Sequence, residues 1–331
     1  MGAGPRGSTM KTSRPLRSLL VIAASVQVAF VTPVFAAGRY VATNGNDSNS
    51  GTISSPWRTV GTSISKLSAG DTLYVRGGTY YEAPTASRAG TAASPIVIRS
   101  YPGETGVLDS GYPQFRTAGN SDWELVNAAL GEYRSVRTFS SSSYIWAYVD
   151  KIPGYVNERV VLVPYQSSAP FRSISETYVD SSTPFYIGPG TYYDSSDQRI
   201  HIRLAKTTDL TATELRYGTI FSTSIPDPRN YSIILSNAFA TLTVTGSYLV
   251  FKDLYINQGE RSVYITSGAH HVTLDGCTVW LGDRTVDMDG VNNISIRNCR
   301  LYGDAPYWVF WSDMKDPPAP ADLQRPTSVN I

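Results

Sequence analysis

The C-terminal part of the chain states one apolar pattern three times, and this repetition limits the fold more than any other feature. Leu249, Val272 and Ile294 align, as do Phe251, Leu274 and Ile296, then Leu254, Cys277 and Cys299, then Ile256, Val279 and Leu301. The offsets are 23 and 22 residues, within the range of solenoid repeats. Inside one period the apolar residues alternate at 249 and 251, slip by one, and resume at 254 and 256. Alternation marks a strand with one buried face, and a single slip marks a corner that re-aims the chain. A third run, Val263 and Ile265, is matched by Val286 and Met288 in the next period.

Each period therefore reads as strand, corner, strand, turn, strand, with no room for a helix. A leucine-rich repeat shares the length range, but its leucine and asparagine spacing is missing. A parallel β-helix meets the pattern, because equivalent residues then stack one rung, about 4.8 Å, apart. One coil cannot bury its inner face alone, so the stack of coils is the cooperative unit. Cys277 and Cys299 fall in one inward column. A disulfide is allowed by that separation, although side chains in a stack run parallel; the other reading is two free cysteines acting as small buried hydrophobes.

The segment from Tyr40 to Glu82 reads YVATNGNDSNSGTISSPWRTVGTSISKLSAGDTLYVRGGTYYE. It resembles the lead-in of secreted right-handed parallel β-helix proteins of the pectate-lyase-like superfamily. The resemblance implies an extended strand, a polar loop, a short amphipathic helix and then the first rung. Ser55, Pro56 and Trp57 open the expected helix, Val60, Ile64 and Leu67 line one side of it, and Ala69-Gly70-Asp71 turns into the strand Thr72 to Val75. The open end of a β-helix exposes core and unpaired strand edges, so such a helix serves as a lid. Pro95 to Ile98 and Gly106 to Asp109 read as the next strands.

The expected fold is thus all-β: a right-handed single-stranded parallel β-helix with an N-terminal capping helix and an inserted β-rich domain. Residues 1–36 read as a signal peptide, with Arg6, Lys11, Arg14 and Arg17 ahead of the apolar run Leu19 to Val31 and small residues near Ala36 and Ala37. The apolar run is too short to span a bilayer comfortably. Secretion, to an extracellular or periplasmic location, is the expectation, with no stable membrane insertion after signal removal. Residues 37–110 form the cap and first coils, 111–235 the insertion, and 236–331 further coils, expected to be truncated at the C-terminus because Thr327 to Ile331 looks like the opening of another rung. The insertion has no period and carries 12 of the 22 tyrosines, with hairpin-like alternation at Ile200, Ile202 and Leu204.

The whole chain has 28 basic and 27 acidic residues; without the four basic residues of the signal it has 24 against 27, a net of −3. A nucleic-acid partner is therefore not expected. A monomer is, and so is the absence of an organic cofactor. Glu260, Asp283 and Asp304 follow equivalent glycines, with Arg261 and Arg284 beside the first two. Carboxylates repeated at rung spacing can hold calcium through oxygen, or can simply form solvated ladders worth about 0–1 kcal/mol per exposed pair. The superfamily resemblance implies calcium and a basic residue that removes the proton beside a uronate carboxyl, which makes Arg284 and Arg261 candidate catalytic residues.

Lys252, Asp275 and Arg297 form a second outward column whose charges satisfy one another. Asp287 and Asp289, in an Asp-Met-Asp-Gly stretch similar in part to the Asp-Gly of polygalacturonases, are candidate substrate-binding residues, as are Trp308 and Trp311, which can stack sugars or pack under the last turn. His201, His270 and His271 have no metal or triad spacing. The leading expectation is a polysaccharide lyase acting on an acidic polymer by calcium-assisted β-elimination. A non-catalytic polysaccharide-binding or adhesion module and a glycoside hydrolase are the alternatives.

Overall fold

In the stacked coils of the computed structural model, parallel pairing binds residues separated by one period, Leu249 to Val272 and Val272 to Ile294. The structure describes residues 38–140, 145–150, 160–175, 182–186, 188–204, 227–280, 282, 284–302 and 329–330, together with 1, 2, 4 and 7. The first parallel sheet runs through Gly38–Val41, Thr72–Val75, Ile96–Ser100, Leu249–Lys252, His270–Asp275 and Asn292–Arg297. The second runs through Gly78–Tyr81, Gly106–Asp109, Tyr255–Asn257, Thr278–Trp280 and Arg300–Tyr302. The third holds Thr85–Ala86, Ala240–Val244, Arg261–Ile265 and Arg284–Met288. Successive coils pass through the three sheets in turn, which makes the right-handed parallel β-helix expected from the repeat.

The register follows the apolar columns. Leu249 pairs with Ile96 on one side and Val272 on the other, and Val272 pairs with Ile294. Ile98, Phe251 and Leu274 form the neighbouring column, all fully buried. Burying such a side chain contributes about 1.5–3 kcal/mol, and the contribution exists only while the coils are stacked. Leu254, Cys277 and Cys299 are at most 1% exposed and lie in the same core.

The one-residue slip between the first and second sheets has a backbone cause. Asp253, Gly276 and Asn298 occupy equivalent positions and adopt φ of 56°, 68° and 55°. Left-handed backbone is tolerated by Gly, Asn and Asp far better than by branched residues, so these three types recur where the wall turns.

The N-terminal lid is built as the lead-in resemblance implied, with one difference. The strand Gly38–Val41 pairs with Thr72–Val75, and Trp57, Val60, Ile64 and Leu67 are buried in the main core. The helix is shorter than expected, Val60–Ser65, and no local side chain caps it. Asp47 accepts from the amides of Arg58 and Thr59, both at 2.9 Å, and Glu82 accepts from those of Val60 at 2.7 Å and Gly61 at 2.9 Å. Carboxylates from the preceding loop and from the following coil thus satisfy the amides a helix start leaves open. The segment 55–57 stays extended because Trp57 is bonded to the first strand, its amide donating to the Tyr40 carbonyl.

Between Asp109 and Ala240 the chain leaves the coil and forms a seven-stranded sheet, in the order Ser232–Ser236, Trp146–Asp150, Val160–Tyr165, Gly190–Asp194, Arg199–Arg203, Glu132–Ser135, Trp123–Asn127. Its ends meet where they leave the wall: the Tyr112 amide donates to the Leu235 carbonyl at 2.8 Å, and the Ser110 and Ser236 hydroxyls are 3.0 Å apart. The excursion replaces the corner between the second and third sheets, so the coil resumes at Ala240–Val244 as if uninterrupted. Tyr148 and Ile234 of the inserted sheet pack on Trp280 of the wall, and the Gly282 amide donates to the Tyr148 hydroxyl at 3.1 Å.

Two expectations need correction. Val329–Asn330 does not open another parallel rung; it pairs antiparallel with Arg300–Tyr302. Met288 keeps its register with buried Ile265 yet is 47% exposed; among the described residues its strand is the last of the third sheet. The signal segment 8–36, Asp283, Asp304, Trp308 and Trp311 lie outside the described residues. Among the described residues no helix is long and apolar enough to cross a membrane.

Candidate functional site

The outer face of the third sheet gathers the described candidates. Ala240, Arg261 and Arg284 form one column, and Thr243, Tyr264 and Asp287 a second beside it. Phe239 precedes the first strand as the chain returns from the insertion and is 52% exposed. Its ring meets that of Tyr264 edge-on, with centroids 5.3 Å apart, and the Arg261 guanidinium lies over it at 4.0 Å.

Arg261 is held from two sides as well. Its Nη1 donates to Glu260 Oε1 at 2.6 Å, and its Nε donates to Asp287 Oδ2. Arg284 Nη1 donates to the same Asp287 oxygen at 3.1 Å while remaining largely exposed. Burial opposes the charge on Asp287, but hydrogen bonds from Arg261 and Arg284 outweigh it and carry its pKa below the ordinary aspartate value. Burial likewise opposes the charge on Arg261, and the Asp287 and Glu260 contacts overcome it and raise its pKa. Arg261 is therefore held as a cation between Glu260 and Asp287.

Asp287 thus joins the arginine column that sequence alignment placed apart from it. Asp289 lies just beyond the strand, exposed, with its amide donating to the Ile265 carbonyl at 3.0 Å. Calcium takes six to eight oxygen ligands, and the described residues do not offer such a set here. Glu260 and Asp287 each have one carboxylate oxygen bonded to a guanidinium. The Lys252 column is self-satisfied: Lys252 Nζ lies 3.0 Å and Arg297 Nη2 3.4 Å from Asp275 Oδ2.

One polar cluster was not anticipated. In the insertion His201 is 2% exposed, with Nδ1 2.7 Å from Glu132 Oε1 and Nε2 3.2 Å from Asp197 Oδ2. Asp194, Asp197 and His201 bring potential metal-ligating atoms within 4.8 Å of one another. Arg134 is 3.2 Å from Asp197 and Arg172 3.8 Å from Asp194, so guanidinium groups already neutralise both carboxylates. Burial pushes Glu132 toward its neutral form, but hydrogen bonds from His201 and Arg172 prevail and lower its pKa. Along the strand, His201 and Arg203 alternate with Ile200, Ile202 and Leu204. Both are buried, because Phe171, Tyr186 and their neighbours cover that side. His270 and His271 open a wall strand, with Nδ1 atoms 2.9 Å apart and the His271 ring stacked on Tyr248.

Residues 39–135 match the family described as Pel9A-like, right handed beta helix region. The chain is 37% identical over 110 residues to Pectate lyase PEL9 of Emericella nidulans, a match covering 32% of this chain and 26% of that protein. It is 35% identical over 85 residues to Uncharacterized protein YwoF of Bacillus subtilis, covering 26% of this chain and 17% of the relative. Among solved structures, that of XylC in complex with xylose aligns with a TM-score of 0.44 at 15% identity, over 72% of this chain and 42% of that one. The chain spans about a quarter or less of the curated relatives it matches. From the lid through the stacked coils, the chain carries a right-handed parallel β-helix similar to that of the pectate-lyase-like superfamily.

Proposed function

We propose that this protein is a carbohydrate-active β-helix that binds an acidic polysaccharide on the outer face of its third sheet, and that the whole protein cleaves the polymer by β-elimination. The observation that carries the reading is the Phe239, Arg261, Tyr264, Arg284 and Asp287 surface, where aromatic rings stand beside an arginine with room to bond. A planar guanidinium matches a carboxylate bidentately, so Arg284 is the residue that meets a uronate carboxyl. The rings of Phe239 and Tyr264 supply the flat apolar surface against which the C–H face of a sugar rests. Arg261, pinned by Glu260 and Asp287, fixes the positive potential of the face without itself moving.

The 37% identity to a protein named a pectate lyase supports the choice of elimination over hydrolysis. In that chemistry the proton on the carbon beside the carboxyl is removed and the glycosidic oxygen leaves. Arg261 and Asp287 are engaged with each other, and a binding module is the second reading for this portion taken alone. Calcium dependence rests on Asp283 and Asp304 and is tested directly. Purified protein is incubated with polygalacturonate, alginate and chondroitin, with calcium or with chelator, while the ultraviolet absorbance of unsaturated uronate is followed and retention in polymer-containing gels is measured. Absorbance growth supports lyase action, and retention without it supports binding alone. If neither polymer retention nor product appears, or if Arg284→Ala is retained as well as the wild type, the reading fails.

A further inference from the structure

Cys277 and Cys299 sit on adjacent rungs. The Arg300 amide donates to the Cys277 carbonyl at 2.9 Å, and the flanking pairs Asp275 with Arg297 and Thr278 with Arg300 are in register. Each follows a left-handed corner residue, Gly276 or Asn298, so both leave the wall in the same inward direction. Neighbouring rungs are about 4.8 Å apart, inside the Cα separation a disulfide accepts, roughly 4.4–6.8 Å. Both residues are free cysteines, no more than 1% exposed. Cys277 Sγ donates to the Phe251 carbonyl oxygen at 3.4 Å, and Cys299 Sγ to that of Arg297 at 3.2 Å.

We infer that Cys277 and Cys299 are an oxidisable dithiol, which a peroxide converts into a disulfide that clasps the coil of His270–Asp275 and Thr278–Trp280 to that of Asn292–Arg297 and Arg300–Tyr302. The two thiols are not equivalent. The neighbouring Cys277 thiol draws the Cys299 pKa down to about 7, while Cys299 and burial together push Cys277 well up, so Cys299 supplies the thiolate. That sulfur attacks one peroxide oxygen, the O–O bond breaks, and Cys299 becomes a sulfenic acid with release of hydroxide. Cys277 gives its proton to the hydroxide and attacks the Cys299 sulfur, whose hydroxyl leaves and is protonated to water. Two thiols lose two electrons in all, and one peroxide becomes two waters. Because side chains in a stack run parallel, closure requires rotation about each Cα–Cβ bond. The site is separate from the polysaccharide face and stands whether or not that reading holds.

The test uses the full chain. Native protein is treated with hydrogen peroxide, unfolded in the presence of an alkylating agent, and weighed intact. The inference expects alkylated sites to fall from two to none together, with both recovered after dithiothreitol and one cross-linked peptide containing Cys277 and Cys299. Cys277→Ala is expected to accumulate oxygen on Cys299 instead. Two alkylated sites after peroxide, oxygen on Cys299 with Cys277 still alkylatable, or a disulfide joining two chains would each overturn it. The wild-type measurement decides the matter even where the variant does not fold.

Discussion

Phe251→Ala removes a ring from the centre of the stack, between Ile98 on one rung and Leu274 on the next, where all three are fully buried. Truncating a buried phenylalanine costs about 3–5 kcal/mol, from lost transfer energy and from the cavity left behind. The coils above and below are hydrogen-bonded to the strand that bears it, so they cannot collapse inward far enough to refill the space. Net stabilities of folded domains are about 5–15 kcal/mol, so this one change removes about 30–50% at the middle of that range. The matched control is Thr273→Ala, on the outer face of the adjacent strand, expected to stay within about 0.5 kcal/mol. Urea unfolding followed by far-ultraviolet circular dichroism reads both, with the midpoint compared at unchanged m-value. A cost below about 1 kcal/mol for Phe251→Ala, or one equal to that of Thr273→Ala, would refute the placement of this column inside the coil.

Other expectations follow from single contacts. Asp47→Ala frees the amides of Arg58 and Thr59 at the start of the lid helix and should cost about 1–2 kcal/mol. Burial raises the Asp47 pKa, but the backbone bonds outweigh it, so the folded value is depressed and the contribution is present above the ordinary aspartate pKa and lost as pH falls through the folded one. The gap in urea midpoint between wild type and Asp47→Ala should therefore close between neutral and acidic pH. At the corner, where φ is 68°, Gly276→Asn should be tolerated better than Gly276→Val by about 1–2 kcal/mol in the same assay, since Asn298 already occupies the equivalent turn. Asp287→Asn should leave Arg261 with Glu260 alone and lower the urea midpoint, whereas Arg284→Ala, at an exposed site, should leave it unchanged and reduce polymer retention.

The coil was legible because one-sided burial enforces a strict rule on the letters: any residue in the column of Leu249, Val272 and Ile294 must be apolar. The corners were legible only as a slip, and the reason, left-handed backbone at Asp253, Gly276 and Asn298, came from the torsion angles. The arginine face was half legible. Arg261 and Arg284 share a column, but Asp287 aligns with Tyr264 and reaches Arg261 diagonally across rungs, a contact that no vertical alignment displays. The cluster of buried Glu132 and His201 with half-buried Asp197 was hidden because the strand is covered on both faces, so the apolar alternation at Ile200, Ile202 and Leu204 does not separate inside from outside. Its one signal was the density of charged residues around 194–203, which a search for metal or triad spacing passes over.

The most direct test of the stacked coil is through space. In protein with labelled Ile, Leu and Val methyls, nuclear Overhauser contacts should link Leu249 to Val272 and Val272 to Ile294, the pairs the register places on adjacent rungs. Leu249 and Ile294, two rungs or about 9.6 Å apart, should show no direct contact. Loss of the adjacent-rung contacts, or their displacement along the strand by two residues, would contradict the account.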